Sequence, residues 1–410
     1  MPRPPNTTVD PALDAAALLR RIGFFGLFVV LPVAAQVSRR ATVVLAPIAV
    51  VLLITASAID QHQRAVWPAV RRLLSAPSFL AGMLVVFWSA LSLVWTPFPG
   101  PASERLANLI ATVVMTLLAY LALPDRMRSA NLYLLPLGVA AAAIVAILIN
   151  LVGDAMLKDN PDGDGALERG AVLLALLAWP AVAWLRSRRR DIGSLVVVVL
   201  VAGALLLAPG VTALFALAVG ALAFALTHWR LSLGVRVTAI AAAGLLVVAP
   251  LLPFLARPIG VALFGPVAPG VLALKAWQKV VTLEPVRLVT GHGLETALRG
   301  KIFGILPINA PTTMLFELWY ELGVVGAFAA AFALYGAIHR AGRDATVLAP
   351  CAMAAFATAF AIGCVGVGLV TIWWLTTLSM AILTFVAIER GQFRSRRPKV
   401  GLIPRLPARS

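Results

Sequence analysis

Cysteine is nearly absent from this chain: among 410 residues there are two, Cys351 and Cys364, both in one apolar stretch. That usage argues against a disulfide framework and against a cysteine metal site. Charge is also scarce, with 12% charged residues against 61% hydrophobic ones and a mean hydropathy of +0.95. Soluble domains carry about 25% charged residues, so a soluble globular fold is excluded. No long polar block is left for a separate soluble domain. A P-loop, a nucleotide-sugar motif and a carboxylate metal cluster are missing too, which disfavours a cytosolic activated donor. Neither cofactor nor metal is expected.

What the chain does have is apolar runs of about 20 residues, repeated along its length and each long enough to cross a hydrocarbon core of roughly 30 Å. The fold class they imply is all-α: a polytopic integral membrane helix bundle of about 12 transmembrane helices. Single spans are expected near 22–37, 42–59, 78–96, 106–123, 131–152, 169–185, 237–254 and 313–338. The runs 192–228 and 346–388 are too long for one crossing. Pro209-Gly210 breaks the first and the glycines Gly366 and Gly368 the second, giving two helices each. The first run follows Arg20 and Arg21 without a small-residue cleavage site, so it reads as a retained helix.

The formal charge of +17 raises nucleic acid as a partner, but the cations sit in short clusters between apolar runs rather than in a basic domain. No nucleic acid is expected, and the clusters serve instead to orient the chain, because cytoplasmic loops are enriched in Lys and Arg. Arg186, Arg188, Arg189 and Arg190 are the strongest inside marker. Arg39 and Arg40 run against the rule, and Arg64, Arg71 and Arg72 restore the alternation. The resulting map places 1–21 as a cytoplasmic lead, 22–254 as helices 1–9 and 255–312 as one large periplasmic loop between helices 9 and 10. Residues 313–388 form helices 10–12, and 389–410 a basic cytoplasmic tail. Both termini are then cytoplasmic. In the outward segment 154–165, Asp154, Asp162 and Asp164 have a faint calcium-loop spacing. Pro161 and the lack of a terminal Glu spoil it, and a solvated turn is the better reading.

The outward cations concentrate in the large loop, at Arg257, Lys275, Lys279, Arg287, Arg299 and Lys301. The stretch from Leu274 to Gly326 is therefore the candidate site. Lys275, Gln278, Lys279 and Thr282 share one helix face opposite Leu274, Trp277 and Val281, a pattern that suits a helix packed on the bundle or one lying in the interface. Gly291-His292-Gly293 suggests a tight turn or a close backbone approach. His62, His228 and His339 all map inside, so His292 is the outward histidine and a candidate base. Glu295 and Arg299 are four apart, the spacing of an ordinary helix ion pair; alternatively Arg287, Arg299 and Lys301 join Lys275 and Lys279 in a cationic cradle for phosphate oxygens. Glu317 and Glu321 enter the membrane on one helix face, where acidic groups need a cavity, a cation or the helix N-terminus to offset their cost.

Three stretches then carry a resemblance. They are Trp88-Ser89-Ala90-Leu91-Ser92-Leu93-Val94-Trp95, the run from Trp277 through Pro285 to Gly291-His292-Gly293, and Leu315 to Gly326 with Glu321-Leu322-Gly323. The whole chain resembles the O-antigen ligase and O-antigen polymerase-like proteins, bacterial inner-membrane glycosyltransferases with one large late periplasmic loop. It is similar to a divergent member. Thr312 and Thr313 stand where the family carries His-Asn, and Gly210-Val211-Thr212-Ala213 where it carries Ser-Arg. The resemblance implies metal-independent transfer of a glycan from a polyprenyl diphosphate carrier to a hydroxyl of a glycan or lipid acceptor at the periplasmic face. His292, Glu295 and Glu317 are then the candidate catalytic groups. Lys275, Lys279, Arg287, Arg299, Lys301, Thr312, Thr313 and Glu321 form the candidate substrate-binding set. The competing expectations are a non-catalytic member that binds lipid-linked glycan and a transporter or flippase for an envelope lipid or anion. Few ionisable groups fall in mid-span and no internal repeat is evident, which weakens the transporter reading.

Overall fold

A computed structural model describes residues 11–60, 70–71, 74–156, 163–343, 347–366 and 371–392. His62, Arg64, Arg72, Asp162, Gly368 and the basic tail from Arg394 lie outside the described residues. Every regular element among the described residues is helical. In chain order they are α1 (Pro11–Ala34, with a π-helical stretch at Gly26–Val30), α2 (Ala41–Ile59), α3 (Pro77–Leu91, extended by a 3-10 turn at Ser92–Val94) and α4 (Pro99–Ala122). Next come α5 (Ser129–Met156), α6 (Gly163–Ser187), α7 (Asp191–Leu207), α8 (Thr212–Trp229) and α9 (Leu231–Val248). The last part holds α10 (Leu252–Phe264), α11 (Pro269–Leu283), α12 (Arg287–Thr290), α13 (Thr296–Ile302), α14 (Met314–Arg343), α15 (Ala349–Val365) and α16 (Ile372–Arg390).

Ten of the described helical stretches are long and apolar enough to cross a membrane, counting α9 with α10 as one, and α7 and α15 are shorter apolar helices. Large side chains such as Leu195, Val199, Leu222 and Ile240 point outward. A surface of that kind fits lipid rather than water, and the chain is a multi-pass membrane protein of helical-bundle type. Pro209-Gly210 separates α7 from α8, with Gly210 at φ +89°, and Gly366 ends α15, both at the expected breaks.

The main core forms around α6, whose residues from Val172 to Leu185 are buried almost without interruption. An α-helix apolar on every side is one that neighbours surround. α5, α7, α8, α15 and α16 pack on it, and Trp179 on α6 donates to Thr358 Oγ1 on α15 at 2.8 Å. A second core joins α9, α11 and α14 through Leu246, Trp277, Phe316 and Trp319, with α3 packed on α14. Trp319 Nε1 donates to the Leu246 carbonyl at 2.6 Å.

Two differences from the sequence expectation have clear physical origins. α1 begins at Pro11 rather than near 22, because Ala and Leu from Ala12 to Leu19 are strong helix formers and Pro is tolerated at a helix start. The stretch 255–312 is largely helical: α10 to α13 fill it, with Pro253 and Pro269 near the starts of α10 and α11.

Close helix approach predicts a specific cost. A Cβ on Gly138 of α5 would lie inside contact distance of the Phe28 backbone, whereas one on Gly82 of α3 would meet nothing within 4 Å. Gly138→Ala should lower the thermal midpoint in detergent, at a cost of about 1–3 kcal/mol, while Gly82→Ala should leave it unchanged or slightly raised, since Ala is the better helix former. Equal midpoints for the two variants would contradict this packing.

Candidate functional site

α14 breaks near its start. Gly323 has φ +62° and ψ −158°, a conformation that glycine adopts without strain. Three consecutive carbonyls before the break are bound from outside the helix. His292 N–H donates to Tyr320 O at 2.8 Å, Gly293 N–H to Glu321 O at 3.0 Å, and Trp88 Nε1 to Leu322 O at 2.9 Å. The approach is so close that a Cβ on Gly291 would overlap the Glu321 carbonyl, and one on Gly323 would press on the Val289 carbonyl. The 3-10 end of α3 closes the other side. Ser92 Oγ accepts from Leu294 N–H at 3.1 Å, and Thr96 Oγ1 donates to Leu294 O at 2.8 Å. The three sequence stretches singled out above are thus brought against one another.

Beneath this junction lies a buried charge cluster. Arg105, in the second turn of α4, reaches Glu295 Oε2 at 2.9 Å, Glu321 Oε1 at 3.1 Å and Glu317 Oε2 at 3.4 Å. All three carboxylates are buried, Glu321 completely. Glu321 Oε1 also accepts from Ala297 N–H at 3.1 Å, which ties the start of α13 to α14. Glu295 caps the start of α13 with φ +73°, a left-handed conformation that costs a non-glycine residue about 1–2 kcal/mol. Its carboxylate is held there by Arg105 and by Arg299 Nε at 3.6 Å. The Glu295–Arg299 pair read from the four-residue spacing is therefore present, as one edge of a larger cluster.

His292 stands at the edge of the junction. Its ring stacks on Tyr320, with centroids 4.0 Å apart and an interplanar angle of 14°. Nδ1 lies 3.0 Å from the Tyr320 carbonyl oxygen, and since that oxygen only accepts, Nδ1 carries the hydrogen. Nε2 lies 2.9 Å from Glu284 Oε2, and the Glu284 side chain is 58% exposed. Beside this pair is a shallow depression with apolar walls from Pro250, Trp277, Val281, Leu288, Phe316 and Trp319.

The remaining candidate residues spread out. Lys275 and Lys279 are exposed on α11, whose Ala276 and Trp277 are buried against the second core. Arg287 is exposed at the start of α12. Lys301 Nζ donates to the Ala310 carbonyl. Partial burial draws its ammonium below the usual lysine range, while the field of Glu317 pulls the other way. Thr312 is exposed, and Thr313 Oγ1 accepts from Phe316 N–H at 3.4 Å, a helix-capping contact. The structure thus unites Glu295, Glu317, Glu321 and Arg299, sets His292 next to them, and leaves Lys275, Lys279 and Arg287 on the surface.

Arg105, Glu284 and Tyr320 were not singled out from sequence. For Arg105 a signal existed: on the orientation map it is an outward cation, against the rule, at the mouth of a span. Glu284 and Tyr320 had none, because their roles come from tertiary contact with His292. Compared with protein-family models and with curated proteins, the chain matches none.

Removing one partner of a buried ionic cluster costs about 3–5 kcal/mol. Arg105→Met leaves three buried carboxylates facing each other and should lower the thermal midpoint sharply. Arg105→Lys should fall between, since an ammonium is a point charge without the guanidinium fork. A midpoint for Arg105→Met equal to that of the unsubstituted protein would refute a stabilising cluster.

Proposed function

We propose that this protein is a membrane glycosyltransferase resembling the O-antigen ligases and polymerases, which moves a glycan from a polyprenyl diphosphate carrier to an acceptor hydroxyl. In this reading the chain crosses a bacterial inner membrane about twelve times, keeps both termini in the cytoplasm and presents residues 255–312 to the periplasm. The observation that carries it is the meeting of Trp88, the Gly291-His292-Gly293 turn and Glu321-Leu322-Gly323 at one break in α14, with both ring nitrogens of His292 engaged at its edge.

The chemistry follows from that placement. The acceptor oxygen forms a bond to the anomeric carbon, the carbon–oxygen bond to the diphosphate breaks, and polyprenyl diphosphate leaves with the electron pair. The acceptor proton needs a base and the departing diphosphate needs positive charge. With Nδ1–H anchored on the Tyr320 carbonyl, Nε2 takes the proton once the acceptor hydroxyl displaces the exposed Glu284 carboxylate from it, and Glu284 close by stabilises the imidazolium that forms. Arg287, three residues after Glu284 and exposed, is the cation best placed along the chain for the diphosphate, with Lys275 and Lys279 on the preceding helix. Glu295, Glu317 and Glu321 share the Arg105 guanidinium, and that engagement suits a rigid platform better than proton abstraction.

The test is transfer by the purified protein from a polyprenyl diphosphate-linked glycan to candidate acceptors. His292→Ala should lower transfer about 100-fold or more, and Glu284→Gln by less, with thermal midpoints near that of the unsubstituted protein. Intact carrier under every condition would sink the enzymatic reading. It would leave binding of lipid-linked glycan without catalysis, or transport of an envelope lipid or anion.

A further inference from the structure

The α10–α11 hairpin carries two unpartnered surfaces of opposite character. α9 and α10 together run 34 residues from Leu231 to Phe264, which at 1.5 Å per residue is about 50 Å. A hydrocarbon core is about 30 Å thick, so α10 exceeds what a crossing needs. The chain changes to a 3-10 turn at Ala249–Leu251, around Pro250, before α10 begins. It then turns at Gly265 (φ +83°), and α11 packs back on α10. Along α10, Leu255, Ile259 and Leu263 form an i, i+4, i+8 stripe and are 67%, 61% and 70% exposed. Along α11, Lys275 and Lys279 are exposed one turn apart, while Arg257 of α10 is held on Gln278 Oε1 at 2.7 Å.

From Leu252 to Leu283 the sequence contains no acidic residue. Like charges at i, i+4 repel, and nothing within the hairpin offsets Arg257, Lys275 and Lys279. An apolar stripe continuous with a transmembrane helix, next to a cationic stripe with no internal counter-charge, matches one environment: the acyl chains and phosphates of an anionic lipid leaflet.

We propose that the hairpin is a lipid-binding element. Leu255, Ile259 and Leu263 are seated among acyl chains, and Lys275 and Lys279, aided by Arg257, engage the phosphates of acidic phospholipids. This surface shares Lys275 and Lys279 with the diphosphate contacts proposed above, but it does not rest on the transferase reading and places no demand on His292.

The test uses full-length protein reconstituted in phosphatidylcholine vesicles with and without phosphatidylglycerol. Nitroxide labels at Ile259→Cys and Leu263→Cys, in a Cys351→Ala and Cys364→Ala background, should collide more with oxygen than with a water-soluble nickel chelate. The unsubstituted protein should retain phosphatidylglycerol in preference to phosphatidylcholine, and Lys275→Gln with Lys279→Gln should reduce that preference about fivefold per lysine. Nickel access exceeding oxygen access at both labels overturns the proposal. So does a lack of preference in the unsubstituted protein, or an undiminished preference in the double variant.

Discussion

The break in α14 at Gly323 is the constraint on which the candidate site depends. Inside a membrane protein a helix can be interrupted only if the backbone groups it releases find partners in the protein. Here the carbonyls of Tyr320, Glu321 and Leu322 find them in His292, Gly293 and Trp88. The same contacts that make the break tolerable bring α3, the 291–294 turn and α14 into one junction. Glycine is needed on both sides of it, because a Cβ on Gly291 would overlap the Glu321 carbonyl and one on Gly323 would overlap the backbones of Val289 and Gly291.

Charge follows from the backbone. Glu317 and Glu321 on the first turns of α14, and Glu295 at the start of α13, are withdrawn from water, and Arg105 from α4 reaches all three. Desolvation makes each of those groups expensive alone, so the four act as a unit that fixes α4, α13 and α14 relative to one another. A rigid floor of that kind holds His292 in a defined direction, with Nδ1 and the ring face on Tyr320 and Nε2 facing the exposed Glu284.

Much of the membrane architecture was legible in the sequence because span length and apolar composition are local properties. The Pro209-Gly210 hairpin and the glycine end of α15 were readable for the same reason. Within 255–312 the amphipathic face of α11 was readable, whereas α10 was not, since it is apolar, contains Pro253 and Pro258, and lies where a loop was expected. Within the site, His292, Glu295, Glu317 and Glu321 stood out by residue type and spacing. Arg105 and Glu284 did not, because each takes its meaning from a partner far along the chain or across a turn. The lysines of α11 stood out as cations, yet their exposed placement away from the carboxylates reflects which face of α11 packs on Phe316 through Trp277.

The central claim is that the 291–293 turn is stitched to the broken end of α14, and amide hydrogen exchange tests it most directly. The N–H groups of His292 and Gly293, measured in the detergent-solubilised protein, should be protected to the same degree as the interior of α14. Exchange at the rate of an open surface loop at both positions would contradict the junction and the site built on it.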